Sequence, residues 1–264
     1  MAGGARYKGV PSVNVRRAGR DSIQILRAKI MDKKVVIVQS SYIPWKGYFD
    51  LINMADEFIL YDDVQYTKRD WRNRNIIKTS NGLLWLTIPV QVKGKYHQRI
   101  CDTRIEDSAW GEKHWKTIAQ NYSKAKYFKD YRDIFERLFL GTTDDYLSRV
   151  NYLFLRAICG LLGIDAKLSW SMDYQLPAEE ELRKTERLVS LCKAANATHY
   201  ISGPSAREYI DHDQFEREGI ALSYIDYGGY PEYTQLYREF HHGVSIIDLI
   251  FNEGPNATKF MKSY

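Results

Sequence analysis

The pattern of apolar and polar positions is most informative between residues 35 and 78. Residues 35–38 form a short continuous apolar run, and a polar loop with Pro44 and Gly47 follows. Tyr48, Phe49, Leu51, Ile52 and Ala55 then recur at helical spacing. A second apolar run, 58–61, ends at Asp62 and Asp63. Strand, loop, helix and strand in that order predict a unit of a parallel sheet, whose ligands sit beyond the carboxyl ends of the strands. Both polar clusters, residues 39–46 and 62–75, fall at those ends.

Further along, a turn at Asn81 and Gly82 introduces a strand of about seven residues, and the polar stretch 93–103 reads as a loop. Helical spacing predicts helices over 106–122, 127–140 and 144–162, the last ended by Gly163 at a C-cap position. Strand and helix signals then alternate: a strand near 166–172, a helix over 179–195, a strand at 199–203 ending in Gly-Pro, and a strand over 221–225. A last helix over 245–251 is capped by Ser245 with Asp248 three residues on. The fold class this order predicts is α/β: a three-layer, mainly parallel, Rossmann-like sheet with a helical insertion at about 105–163. Residues 1–30 lack this periodicity and are predicted to be a basic, disordered extension, with a single α/β domain over 31–264.

The charge distribution limits the partners. Formal net charge is +5, but residues 1–30 alone carry seven basic side chains against Asp21, leaving 31 basic and 32 acidic side chains on the body. The body therefore lacks a global nucleic-acid footprint. Mean hydropathy is −0.46, and no apolar run approaches the roughly 20 residues needed to span a bilayer. Three widely spaced cysteines point to a reduced, cytoplasmic setting, with Cys159 and Cys192 in apolar helical patterns as small core residues. Twenty Tyr and six Trp supply apolar bodies with polar tips, suited to clefts with stacking walls as well as to the core.

Four constellations are candidates for chemistry. In the first loop Tyr42 and Trp45 offer rings and Lys46 a charge, while Gly47 permits close backbone approach at a helix N-terminus suited to anions. Its Pro-x-x-Gly spacing resembles, in degenerate form, the Pro-x-x-Gly-His loop of nucleotidyltransferases, with Tyr48 in place of the His. The alternative is a loop whose path Pro and Gly merely set. In the second cluster Lys68, Arg69, Arg72 and Arg74 surround Trp71, with Asn73 and Asn75 alongside. An aromatic platform with guanidinium forks suits a phosphosugar or nucleotide, although mutual salt bridges would explain the charges equally simply. Gln39, Tyr42, Lys46, Asp62, Gln65, Arg69, Trp71, Arg74 and Asn75 are expected to line one cleft, because the two loops leave adjacent strands at the same edge. His114, beside Trp115, is either a hydrogen-bonded structural residue or the general base. Ser202 and Gly203 end a strand, and Tyr233 and Gln235 offer polar tips in a loop. Adjacent His241 and His242 make a poor metal pair, and no metal site is assigned.

Together these blocks resemble the WbqC-like protein family, found among bacterial O-antigen and polysaccharide biosynthesis functions. The likeness runs from Met31 to the C-terminus. It is carried by VVIVQSSYIPWKGYFDLINMADEFILYDDVQYTKRDWRNRN, WLTIPV, HW followed by NYSKAKYF, YISGPSAREY and YTQLYREFHHGVSIIDLIFNEG. Ser40 and Ser41 stand where the family more often has Pro and an aromatic residue. The resemblance implies transfer of glycine or another aminoacyl group to the amino group of a nucleotide-linked amino sugar. On that reading Asp62 or His114 supplies the base, Arg74 and Lys68 hold phosphate, and Asn75 or backbone N–H groups face the oxyanion. If a free amino acid is activated in place, ATP and Mg²⁺ are required, with Asp62 and Asp63 as contacts. An aminoacyl-tRNA donor is the one route by which nucleic acid would enter. A non-catalytic protein binding a glycan precursor or partner enzyme, and a degenerate nucleotidyltransferase-like ATP-using enzyme, are the alternatives.

Overall fold

A computed structural model describes residues 32–176 and 184–264, and one compact unit spans Lys33–Tyr264. The predicted extension at 1–30 lies outside the described residues, as does the start of the helix predicted over 179–195. In chain order the elements are β1 (Lys34–Val38), α1 (Lys46–Asn53), β2 (Glu57–Leu60), β3 (Arg74–Thr79), β4 (Gly82–Thr87), α2 (Trp110–Tyr122), α3 (Phe128–Gly141) and α4 (Leu147–Leu162). They continue with β5 (Lys167–Trp170), α5 (Lys184–Ala194), β6 (His199–Ser202), α6 (His212–Arg217), β7 (Ala221–Tyr224) and α7 (Ile246–Glu253), with 3₁₀ turns at Ser171–Asp173, Pro204–Glu208 and Gly254–Phe260.

Five strands form one sheet in the order β5-β2-β1-β6-β7, every pairing parallel. The fold is thus the three-layer α/β arrangement. Strand residues alternate between two cores: Val36, Phe58 and Leu60 pack with α1, α2, α3, α4 and α7, while Val35, Ile37 and Ile59 pack with α5 and α6. From β1 the chain moves outward through β2 to β5, then returns to the far side of β1 for β6 and β7. The order therefore reverses between β1 and β6, and the crevice at that reversal is where such sheets take ligands. Gly163 ends α4 in the left-handed conformation (φ 69°). The Ser245 side chain caps α7 by accepting from Ile247 N; Asp248 does not complete a capping box but bonds the Tyr122 and Tyr233 hydroxyls. Among the described residues no helix is long and apolar enough to cross a membrane.

One element departs from the sequence reading. Residues 74–79, of which the sequence reading placed only the first two in the polar cluster and left the rest unassigned, form β3, paired antiparallel with β4 outside the main sheet. Polar Asn75 and Lys78 disguise it. Both are buried and satisfied by distant partners: Asn75 Nδ2 donates to the Tyr42 carbonyl (3.0 Å), and Lys78 Nζ reaches acceptors in residues 235–239.

The opposite, amino end of the sheet is held electrostatically. Glu57, at the start of β2, accepts from Lys33 Nζ (2.7 Å), Lys167 Nζ (2.8 Å), Ser169 Oγ (2.6 Å) and the Tyr174 hydroxyl. Burial alone would push its carboxyl up, but these donors outweigh burial and hold it down at about 2. A carboxylate depressed on folding adds stability above its unfolded value of about 4.3, and that stability is lost as pH falls toward 2. Chemical denaturation across this window is expected to show the wild type losing on the order of 3 kcal/mol more than Glu57→Gln. Parallel acid limbs for the two proteins would show that Glu57 does not anchor this end.

Candidate functional site

A cavity of about 720 Å³ opens at the carboxyl end of β1. Val38, Ser41, Pro44, Trp45 and Tyr48 line it from the β1–α1 passage, Trp71, Arg72 and Asn75 from the approach to β3, and Tyr227, Gly228, Gly229, Tyr230, His242 and Gly243 from beyond β7. The two approach segments are tied together. Tyr42 N donates to the Trp71 carbonyl (3.0 Å), Asn75 to the Tyr42 carbonyl, and Ser40 N to Asp62 Oδ1 (2.8 Å). Ile43, a β-branched residue before a proline, is held at φ 37°, and Arg69 at φ 59°. Non-glycine residues at positive φ persist only where their surroundings over-determine them, commonly at ligand sites. Trp45 meets Tyr227 and Tyr230 at ring-centroid distances of 5.2 and 5.4 Å, which makes an aromatic corner.

Arg72 is the group that gives this cavity its chemistry. It is 8% exposed, and its Nε and Nη1 have no hydrogen-bond partner among the described residues. Asp70 lies 3.9 Å from Nε, an ion-pair distance too long for a hydrogen bond. Its backbone is fixed from α4, where Asn151 Nδ2 donates to the Arg72 carbonyl (2.9 Å) and to Ser40 Oγ (2.9 Å). A buried guanidinium with unused donors is costly by itself, and a phosphate or carboxylate is the chemistry that would complement it.

Of the residues singled out as candidates in the sequence, Trp45, Tyr48, Trp71, Arg72 and Asn75 line the cavity. The three candidate catalytic residues face elsewhere. Asp62 is fully buried and braces the scaffold, accepting from Ser40 N and Ser148; burial pushes its carboxyl up against those hydrogen bonds and the Arg72 charge. His114 lies between the Tyr42 hydroxyl (2.8 Å to Nδ1) and the Thr87 carbonyl (3.2 Å to Nε2). A carbonyl can only accept, so Nε2 carries the proton, and burial pushes the imidazole down to about 4. Both of its ring nitrogens are thus engaged within the fold. Arg74 donates to the Arg69 carbonyl and stacks on Trp85, 4.1 Å from guanidinium carbon to ring centroid.

The others are placed by packing. Tyr42 is a core ring, and Gln39 offers its carbonyl to the Tyr48 hydroxyl (2.9 Å). Gly47 does not open the backbone to a ligand: the Trp45 indole lies over it, and an added Cβ would sit 2.3 Å from Cζ2. Lys46 is buried, donating to the Pro231 carbonyl (2.7 Å) with the Tyr230 and Tyr233 rings each 5.2 Å away; burial pushes it down to about 8. Gln65 and Lys68 border a separate cleft of about 300 Å³ with Tyr96 and Gln98, and Arg69 is exposed. Ser202 is buried against the Tyr200 hydroxyl, and Gly203 follows it at the end of β6. Tyr233 bonds Asp248 (2.8 Å), and Gln235 links Lys78 to the His241 backbone. Asp63 is engaged by Arg187 and Ser171, so neither Asp62 nor Asp63 presents a free carboxylate pair for Mg²⁺. No group of three or more His, Cys, Asp or Glu side chains among the described residues is placed to hold a metal ion.

The sequence reading placed Arg72 among the guanidinium forks without setting it apart from Arg74, and it did not place the wall beyond β7 in the site. That wall is a strap clamped by Lys46 at Pro231 and by Lys78 at residues 235–239. It brings His242 to the cavity, where partial burial and the nearby Lys46 hold the imidazole below its ordinary value. The only sequence signal was the Tyr-Gly-Gly-Tyr run at 227–230, glycines between two rings.

Residues 39–260 match the WbqC-like protein family. A protein of Mycobacterium tuberculosis described as uncharacterized is 51% identical over 230 residues, covering 87% of this chain and 98% of the relative. No solved structure matches the chain. The chain belongs to the WbqC-like protein family.

Proposed function

We propose that the cavity binds a nucleotide-linked amino sugar through its phosphates, and that the chain transfers an aminoacyl group to the sugar's amine. The observation that carries the first step is Arg72, a buried guanidinium with two unpartnered donor nitrogens on a cavity of about 720 Å³. Trp45, Tyr227 and Tyr230 supply rings for the sugar and base. In the transfer the neutral amine attacks the activated carbonyl carbon of the donor, an ester, thioester or acyl phosphate. The C–N bond forms, the bond to the leaving group breaks, and the amine's proton passes to His242. Partial burial holds that imidazole below its ordinary value, which favours the neutral form that can accept a proton. The transfer step and its association with surface polysaccharide synthesis come from the family resemblance.

A second reading is a precursor-binding protein without turnover. The engagement of Asp62, Arg74 and His114 in internal contacts favours it. Incubation with nucleoside-diphosphate amino sugars and each donor class, read by mass spectrometry, separates the two. The transferase reading expects product heavier by one aminoacyl residue, lost in His242→Ala with binding retained. Binding with no mass change under any donor would leave the precursor-binding reading.

A further inference from the structure

We propose that Trp71, Trp85 and Arg74 form a second subsite outside the cavity mouth that takes the purine-nucleotide portion of the acyl donor; this rests on the two-substrate reading above. Strand register places Trp85 opposite Ile76 and Leu83 opposite Lys78, so Trp85 and Leu83 share one face of the β3–β4 hairpin. That face leaves Trp85 41% and Leu83 45% exposed, and Trp71 beside it is 42% exposed. The two indoles lie 5.2 Å apart at 37°, and the Arg74 guanidinium lies 4.1 Å from the Trp85 centroid. Large rings exposed together beside a site mark a surface that is covered in function.

Three observations choose the occupant. Trp71 is a wall of the cavity as well as part of this shelf, so a group stacked there lies within reach of the bound acceptor. Arg74 keeps an Nε without a hydrogen-bond partner among the described residues, and it bonds the carbonyl of Arg69, itself exposed, so the charge at the shelf is positive and the complement is an anion. Flat aromatic faces with an adjoining guanidinium bind a nucleobase by stacking and its phosphate by charge. An acyl donor activated as an adenylate, or carried on an adenine-containing thiol, presents both.

The probe is AMP, titrated into the full chain and followed by tryptophan fluorescence and calorimetry. Saturable quenching is expected, weakened at least tenfold in Trp85→Ala and largely kept in Trp85→Phe, with circular dichroism unchanged. Trp85 does not line the cavity, so nucleotide-sugar affinity should stay within about twofold in the same variants. Arg72→Met should keep AMP binding while losing the nucleotide sugar, so failure of this subsite and failure of the cavity reading give different results. AMP affinity unchanged in Trp85→Ala, no AMP binding to the wild type, or AMP binding lost in Arg72→Met instead would each overturn the proposal. So would the hairpin residues proving necessary for sedimentation with phosphatidylglycerol vesicles or for self-association, with AMP binding indifferent to them.

Discussion

Arg72→Met is expected to weaken nucleotide-sugar binding at least a hundredfold and, in the same protein, to raise the melting temperature. The two effects have one cause. In the free protein the guanidinium is buried and two of its nitrogens lack partners among the described residues, with Asp70 3.9 Å from Nε. Replacing an inadequately paired buried charge by an apolar side chain of similar length is neutral or stabilising, by about 1 to 4 kcal/mol. At this chain length each kcal/mol moves the melting point by about 2 to 4 °C. In the complex the same group supplies charge-assisted donors to phosphate, and a hundredfold loss corresponds to roughly 2.8 kcal/mol. Arg72→Lys should lose at least tenfold, since the ammonium keeps the charge but not the planar fork. Were Arg72 a structural residue, Arg72→Met would lower stability and leave affinity alone. Differential scanning calorimetry and titration on the same sample separate these outcomes by sign.

The second large effect is expected at Lys78. Its ammonium donates to Gln235 Oε1 (2.8 Å) and to the carbonyls of Tyr237 (2.7 Å), Arg238 (3.2 Å) and Glu239 (2.6 Å). Glu239 is itself at φ 60°, an unfavourable conformation for a side chain of this length, and its carbonyl is turned onto the lysine. Burial lowers the Lys78 pKa, and the nearby Asp248 and Glu239 carboxylates oppose the shift. Lys78→Met removes the common donor and should cost about 3 kcal/mol, several charge-assisted bonds less what water restores at the exposed carbonyls. Amide exchange should quicken over residues 235–243. Nucleotide-sugar affinity should fall with it, because His242 and Gly243 form one wall of the cavity. Unchanged exchange in the strap would mean that its conformation is fixed without Lys78.

The contrast between Arg72 and Arg74 shows how far the sequence could be read. Both sit in one polar run two residues apart, and nothing local distinguishes them. What separates them is remote: Trp85 from β4 covers Arg74, whereas Asn151 from α4 fixes the backbone of Arg72 and leaves its donors unused. Periodicity, by contrast, is a local property. The apolar runs of β1 and β2, the helical stripes of α2, α3 and α4 and the turn at Gly82 were therefore legible, and with them the parallel sheet and the edge at which the cavity opens. β3 was hidden because its polar residues are satisfied by partners far along the chain. His114 reads as a base only while its surroundings are unknown; burial between Tyr42 and Thr87 reverses that role. The Tyr227 to Tyr230 wall is held by Lys46 at the Pro231 carbonyl and by Lys262 at the Asp226 and Gly228 carbonyls, contacts without a spacing pattern.

The most direct measurement is a calorimetric titration of the wild-type chain with a nucleoside-diphosphate-linked amino sugar, run beside the free amino sugar and the unphosphorylated nucleoside. Saturable one-to-one binding of the linked compound is expected, with both fragments at least a hundredfold weaker, because the phosphates are the groups that meet Arg72. Equal affinity for the nucleoside alone, or no heat from the linked compound at millimolar concentration, would contradict a phosphate-anchored site in this cavity.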